Sequence, residues 1–372
     1  MGEGKKAVVY FSDLRSKAKK DFLGRVTRLL DRLEIKEKVR KNSLVALKVH
    51  FGERGNTAFV RPIFLRTVVD RVKKCGGKPF LTDTNTLYVG SRGDSVNHYE
   101  CAIDNGFGFA NLGAPVVIAG GLRGNRCQRV TVDLKHYREV EIAPELVDAD
   151  TVIGITHFKG HEMSGFGGTL KNFGMGSASR QGKLSMHSTA SPFVTTKVCT
   201  GCQSCLHWCA HGALSMEGKK ARIDSESCTG CGACLPTCPS GAIRIVWDRG
   251  IEEMQEKMVE HAYGALYPKR GRVLFLNFLM NITPLCDCYP FSDAPIVPDI
   301  GVLASDDPVA IDQASADLVN QQPGIATSAL QANHEPGGDK FRGVAPQIDW
   351  TLQLRYGEQI GLGTRDYKLV KL

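Results

Sequence analysis

Eight cysteines between Cys199 and Cys238 constrain this chain more than any other feature. They read Cys199-x-x-Cys202-x-x-Cys205-x-x-x-Cys209, then Cys228-x-x-Cys231-x-x-Cys234-x-x-x-Cys238-Pro239. Each cysteine of the first run recurs in the second at one constant offset, and Ala210-His-Gly-Ala-Leu214 is answered by Pro239-Ser-Gly-Ala-Ile243. The segment is an internal duplication. Three closely spaced thiolates on a curling loop cover three corners of an iron–sulfur cubane, and the fourth corner is reached from the other half. The spacing assigns Cys199, Cys202, Cys205 and Cys238 to one 4Fe–4S cluster, and Cys228, Cys231, Cys234 and Cys209 to a second. Gly201, Gly230 and Gly232 suit loops whose backbone N–H groups turn toward cluster sulfurs.

Paired Cys-x-x-Cys units also build structural zinc sites. Zinc requires neither the third cysteine of each run, nor the crossed fourth ligand, nor the proline after Cys238. The spacing therefore points to iron–sulfur, in the pattern of a bacterial-type ferredoxin module. One departure stands out: Cys209 is followed by Ala210 rather than proline, so the second cluster is expected in a looser loop.

The chain has 372 residues, enough for a large α/β core plus a small inserted module. Of its thirteen cysteines, eight sit in metal spacing, which argues for a reducing compartment rather than a disulfide scaffold. The opening runs from Met1 straight into the strand-like Ala7 to Phe11, and Asp13 and Arg15 interrupt it too early for a signal peptide. Gly2 lacks the Ser or Thr that a myristoylation signal requires, and no apolar stretch is long enough to cross a bilayer. A cytoplasmic protein without a membrane partner is expected. The net charge of +8 is spread over Lys17 to Lys20, Lys36 to Lys41 and Lys73-Lys74, on helix-like faces. With no nucleic-acid-binding motif present, solvated helix surface is the simpler account, and no nucleic-acid partner is expected.

Along the chain, Ala7 to Phe11 reads as a strand, followed by a helical stripe of Phe22, Val26, Leu29, Leu30 and Leu33. Ser43 to Phe51 is the near-continuous apolar run of a strand covered on both faces. A helix opens at Pro62 and stops at Cys75-Gly76-Gly77, and Pro79 to Thr82 starts another strand. Ser95 to Asn105 reads as a helix, and Val116 to Ala119, Val130 to Leu134 and Val152 to Thr156 as strands. Gly160 to Gly182 lacks periodicity and reads as a long loop. After the cysteine runs come a helix over Ile251 to Leu266, strands at Val273 to Phe278 and Asp299 to Leu303, and a helix capped by Asp307. The tail from Pro323, through Gln347 to Leu354, reads as irregular wrapping. Strand–helix alternation predicts an α/β fold with a largely parallel sheet and flanking helices. That core is discontinuous, over 1–192 and 248–372, with a ferredoxin-like domain inserted at 193–247, from Phe193 to Trp247.

In open parallel sheets, ligands bind beyond the carboxyl ends of the strands. Three strands end in polar groups: His50 and Glu53; Asp83 and Asn85; His157, Lys159 and His161. For His50 a structural role and a ligand role both stand, as do turn-forming and catalytic roles for Asp83. His157-Phe-Lys159-Gly-His161 places a lysine between two histidines, and acid–base chemistry and structure are equally open there. The loop from Ser164 to Gly176 offers close backbone N–H groups and Lys171, the chemistry of an anion cradle. A tight structural loop fits it as well, and it is not a Walker A motif. Cys286-Asp-Cys288 follows a strand; its thiols fit a shared metal or a third cluster, a redox dithiol, or packing. Cys75, Cys101 and Cys127 read as small buried hydrophobes, and Asp306 and Asp307 as capping residues rather than metal ligands.

Lys48-Val-His-Phe-Gly-Glu53, Thr82-Asp-Thr-Asn-Thr86, His157 to Gly176, Cys286-Asp-Cys288 and Asp299 to Asp312 together resemble one family. It is the domain of unknown function three-six-two, whose members often carry ferredoxin-type inserts. The resemblance covers nearly the whole chain and implies an α/β core with two cubane clusters, but no settled catalytic residues. The combined expectation is an iron–sulfur redox protein. Its clusters relay electrons from a soluble donor or acceptor to a core site built from Cys286, Cys288, His157, Lys159, His161 and Lys171, with an anionic small molecule as substrate. Two alternatives stay open: a cluster-binding or maturation factor, and an electron carrier whose core docks partners.

Overall fold

The computed structural model describes residues 6–17, 21–187, 192–245 and 250–372. Trp247, the expected end of the insert, lies outside them, as do Lys19, Lys20 and the first five residues with Gly2. Eight strands form the main sheet: β1 Ala7–Asp13, β2 Leu44–Val49, β3 Lys78–Thr84, β4 Val116–Ala119, β5 Thr151–His157, β6 Val273–Leu279, β7 Gly301–Ser305 and β8 Tyr367–Lys371. Their spatial order is β8-β1-β7-β6-β5-β2-β3-β4. All run parallel except β7, which pairs antiparallel with both neighbours. The protein is a mixed α/β structure with a large, mostly parallel sheet.

The central strands are buried on both faces, as their unbroken apolar runs require. Val45, Leu47, Val49, Ile153 and Ile155 pack with the helices Phe22–Arg32 and Pro62–Lys74. Ala46, Val152 and Phe275 point the other way, toward the helices Ile251–Leu266 and Pro308–Asn320. This alternation is the period-two geometry of a strand between two helical layers. Local signals set the helix ends: Asp21 accepts from the Gly24 N–H, Asp307 from those of Val309 and Ala310, and Gly76 turns the chain at φ 86°.

β5 and β6 are neighbours in register from Val273 opposite Val152 to Phe278 opposite His157, although the cysteine-rich segment separates them in sequence. Within that segment Phe193–Val194 pairs with Ile243–Arg244, and Leu214–Glu217 with Lys220–Ile223. Its apolar cluster, including Leu214, Leu235 and Ile243, also takes in Leu87 and Leu184 from the larger part.

Four local expectations are corrected. Gly160 to Gly182 is not a loop: it holds the hairpin Lys159–His161 with Gly165–Gly167, the helix Thr169–Gly174 and the start of the helix Arg180–His187. The remote Asp312 carboxylate accepts from the Thr169 and Leu170 N–H groups at 2.7 and 2.8 Å, replacing a local cap that no neighbouring residue supplies. The strand expected at Val130 to Leu134 is Gln128–Thr131, and it pairs only with Glu139–Ile142, apart from the main sheet. The strand expected at Asp299 to Leu303 lies at Gly301–Ser305. The tail forms the helices Lys340–Val344 and Thr351–Gln359 and then β8, an edge strand whose lysines suit that exposed position.

Phe275 is fully buried in β6 and meets Phe173 edge-on at 5.6 Å. Phe275→Ala is expected to cost about 3–5 kcal/mol in urea unfolding, whereas Leu369→Ala on the exposed edge should stay within about 1 kcal/mol.

Candidate functional site

The carboxyl ends of β2, β3 and β5 open onto a cavity of about 540 Å³. Its floor carries Lys48, His50, Asp83, Arg92, His157, Lys159, Lys171 and Cys288. Its roof is apolar and comes largely from the cysteine-rich segment: Phe193, Leu235, Ile243 and Ile245, with Leu87 and Val89 beside them. An apolar enclosure with a few convergent polar groups is the usual character of a small-molecule site.

Beneath the floor lies a buried ion network. Lys48 Nζ donates to Asp83 Oδ1 and Asn172 Oδ1, both at 2.8 Å. Arg92 reaches Glu53 Oε2 at 3.2 Å, Asp83 Oδ2 at 3.4 Å and Tyr88 Oη at 2.5 Å. Burial would raise the Asp83 pKa, but Lys48 foremost, then His50, His98 and Arg92, overcompensate and hold the carboxyl well below the usual range. Lys183 donates to Thr84 Oγ1, Asn85 O and Ala178 O, while burial brings its pKa down to about 7.

A second network locks the Cys286-Asp287-Cys288 turn. Asp287 is fully buried, with its carboxylate 2.8 and 3.0 Å from His157 Nδ1 and 3.4 Å from Lys159 Nζ. His157 Nε2 faces the Met280 and Asn281 carbonyls at 2.9 and 3.0 Å. Both His157 nitrogens thus face acceptors only, and neither keeps a lone pair for a metal or a substrate proton. Burial works against the Asp287 charge, yet His157 and Lys159 hold its carboxyl well below the ordinary range. The Asp287 carbonyl also accepts from the Glu53 N–H at 3.0 Å, tying the turn to the end of β2.

The two thiols of this turn sit with Sγ atoms 3.0 Å apart. Lys171 Nζ is 3.3 Å from Cys286 Sγ, and His50 Nε2 is 3.4 Å from Cys288 Sγ. The Gly52 N–H donates to His50 Nδ1 at 3.0 Å, so the His50 proton sits on Nε2 and points at Cys288. The hydrogen bond from Cys286, with His50 and Lys171 against the opposing effect of burial, holds the Cys288 thiol well below the usual range. The Cys288 contact and burial push Cys286 well above it. With the Lys171 ammonium on one sulfur and the His50 N–H on the other, the surroundings favour one negative charge shared by the pair.

The eight cysteines of the two runs fall into two sets. Cys199, Cys202, Cys205 and Cys238 line one small void, and Cys209, Cys228, Cys231 and Cys234 line another. The Ala221 and Ala242 N–H groups point at Cys199 and Cys238 Sγ, at 3.5 and 3.2 Å. Gly201, Gly230 and Gly232 all adopt positive φ, as a loop curling around its own centre requires. A Cβ on Gly232 would lie 2.9 Å from Leu87 Cδ1, so the second set rests directly against the cavity wall.

The description "Domain of unknown function (DUF362)" matches residues 45–317, from β2 through most of the helix Pro308–Asn320. The chain belongs to this family. No curated protein matches the DUF362 chain. Among solved structures it is similar to the lactate racemase apoprotein from Thermoanaerobacterium thermosaccharolyticum, at 14% identity and a TM-score of 0.40. The likeness covers 74% of this chain and 51% of that one, so the chain spans about half the length of that structure.

Of the residues singled out in the DUF362 sequence, His50, Asp83, His157, Lys159, Lys171 and Cys288 meet at the cavity. His161 is buried but does not line it: its Nδ1 accepts from the Met163 and Ser164 N–H groups at 3.2 Å, shaping the hairpin. Burial and the nearby Lys171 keep its pKa well below the ordinary histidine value. Arg92 and Lys183 escaped the sequence reading, since a buried basic side chain carries no periodic or spacing signal that separates it from a surface one.

Asp287→Asn leaves His157 and Lys159 without their anion and is expected to cost about 3–5 kcal/mol near neutral pH. With a folded pKa below the unfolded one, Asp287 stabilises fully above the unfolded carboxylate range, about pH 4, and loses this contribution as pH falls. The gap between wild type and variant in urea titrations should therefore narrow in acid.

Proposed function

We propose that this DUF362 protein is an iron–sulfur redox protein. Two 4Fe–4S clusters in the cysteine-rich segment exchange electrons with a soluble partner and serve the cavity in the α/β core. The observation that supports this is the sorting of eight thiols into two sets of four around separate voids. Each set takes three cysteines from one run and the fourth from the other. Cys199, Cys202, Cys205 and Cys238 would hold one cluster, and Cys228, Cys231, Cys234 and Cys209 the other, within an inserted ferredoxin-like domain at 193–247. When bound, such clusters supply one-electron chemistry over a wide range of potentials. A reducing, cytoplasmic setting suits these thiols.

The core residues bind and position. Lys48, Arg92, Lys159 and Lys171 are matched by Glu53, Asp83, Asp287 and the charge shared by the two thiols, whereas Lys183 lines the cavity with only the neutral oxygens of Thr84, Asn85 and Ala178 as partners. A small anion with an apolar body would complement this floor and the roof of Leu235, Ile243 and Ile245. Lys171 acts directly, as the cation beside Cys286, whereas His157 and Lys159 act through Asp287 and His161 through the hairpin. A cavity walled by both parts of the chain favours a substrate site over a core that only docks partners.

The pair Cys286 and Cys288 suits a dithiol better than a metal. Two thiolates on a tetrahedral ion, with bonds of about 2.3 Å, stand about 3.8 Å apart, wider than the 3.0 Å found here. His50 presents a proton rather than a lone pair, and the Lys171 ammonium already occupies the cation's place.

Anaerobic iron and sulfide assays should find about eight of each per chain. Cys202→Ser and Cys231→Ser should each reduce this to about four, with loss of one EPR signal after dithionite reduction. Zinc in place of iron in freshly isolated protein would overturn the proposal.

A further inference from the structure

We infer that Cys286 and Cys288 form a reversible disulfide, the two-electron centre of the cavity, with Cys288 as the sulfur that meets the substrate. The inference rests on the iron–sulfur reading only for the source of its electrons; the pair itself is argued from its own geometry.

The sulfurs are already in close contact at 3.0 Å, about 1 Å from the S–S bond length. The turn that holds them is rigid, because Asp287 between them is clamped by His157, Lys159 and the Glu53 N–H. The two positions are unequal. Cys288 lines the cavity, whereas Cys286 is 2% exposed and lies behind it against Lys171. A thiolate facing the ligand and a buried partner thiol within bonding reach are the two parts of a dithiol redox centre.

Oxidation by a reducible small anion bound in the cavity joins the two sulfurs; that substrate takes up the two electrons, the one proton that the pair shares and a second proton from bulk solvent. Reduction takes in two electrons, breaks the S–S bond and leaves the negative charge on Cys288, against the His50 N–H. The proton goes to Cys286 from Lys171, which is reprotonated from the cavity. The reductant is a one-electron donor used twice, the class to which two cubane clusters belong. Lys171 and His50 stabilise the thiolate, so the surroundings favour the reduced form and make the disulfide a ready electron acceptor.

The test is differential alkylation of the full-length, cluster-loaded protein under anaerobic conditions, with iron content and cluster EPR followed in parallel. After mild oxidation with diamide and alkylation in denaturant, which opens the buried Cys286 to the reagent, the peptide carrying both cysteines should take no iodoacetamide and be lighter by two hydrogens. Dithionite limited to two electron equivalents should restore two labels. In Cys231→Ser the restoration should fail in the time wild type needs, and in Cys286→Ser the Cys288 label should persist in both states. Full labelling of both cysteines after oxidation, with iron and EPR signals intact, would overturn the inference and leave the iron–sulfur reading standing. Opening at the wild-type rate in cluster-deficient chains would overturn the clusters as the electron source and leave the disulfide itself standing. Protein without iron would remove the iron–sulfur reading instead, while the mass of the oxidised peptide still decides whether the bond forms. If the variants do not fold, the wild-type peptide alone decides the same point.

Discussion

Asp287 sits in the interior with a full negative charge, and the cavity takes its shape from the way that charge is held. His157 arrives from the end of β5 and Lys159 from the hairpin that follows, both directed at one carboxylate. An isolated buried carboxylate would lose its charge or unfold its surroundings, so the three groups are stable only together. Their joint placement fixes the Cys-Asp-Cys turn, and with it the separation of two sulfurs whose chemistry depends on fractions of an ångström. The neighbouring network of Lys48, Asp83, Arg92 and Glu53 obeys the same rule and fixes the ends of β2 and β3.

The chain path explains why the cysteine-rich segment roofs this floor. β5 ends at His157 on the cavity side, and the chain leaves from there through the glycine-rich hairpin and the helix Thr169–Gly174. It returns along the helix Ile251–Leu266 to enter β6 parallel to β5. A segment inserted in that crossover emerges over the carboxyl ends of the strands, where parallel sheets place their ligands. Leu87 and Leu184 join the segment's own apolar cluster and seat it there. The cavity thus receives most of its charges from the larger part of the chain, while Leu87 and Val89 of that part and Phe193, Leu235, Ile243 and Ile245 of the cysteine-rich segment share its apolar surface.

Much of the fold was legible because the relevant signals are local. The apolar run over β2, the stripe of Val26, Leu29 and Leu30, Pro62 at a helix start and Gly76 at its end each act within a few residues. The glycine-rich stretch after His161 was misread because its helix is capped by Asp312, over a hundred residues away. The tail was misread because β8 has no apolar pattern of its own and becomes a strand by pairing with β1. At the site, the spacing of residues singled out His157, Lys159 and His161, but not that two of them serve Asp287 and the third a hairpin.

Sequence by itself determined the duplicated cysteine runs, the α/β alternation and the set of polar strand ends, since each is written in residue type and spacing. Tertiary structure alone decided that Arg92 and Lys183 are buried beneath the cavity, and that Cys286 and Cys288 touch with only one facing it. These outcomes depend on long-range packing and on the high cost of burying unpaired charge, and neither is encoded in any short stretch of chain.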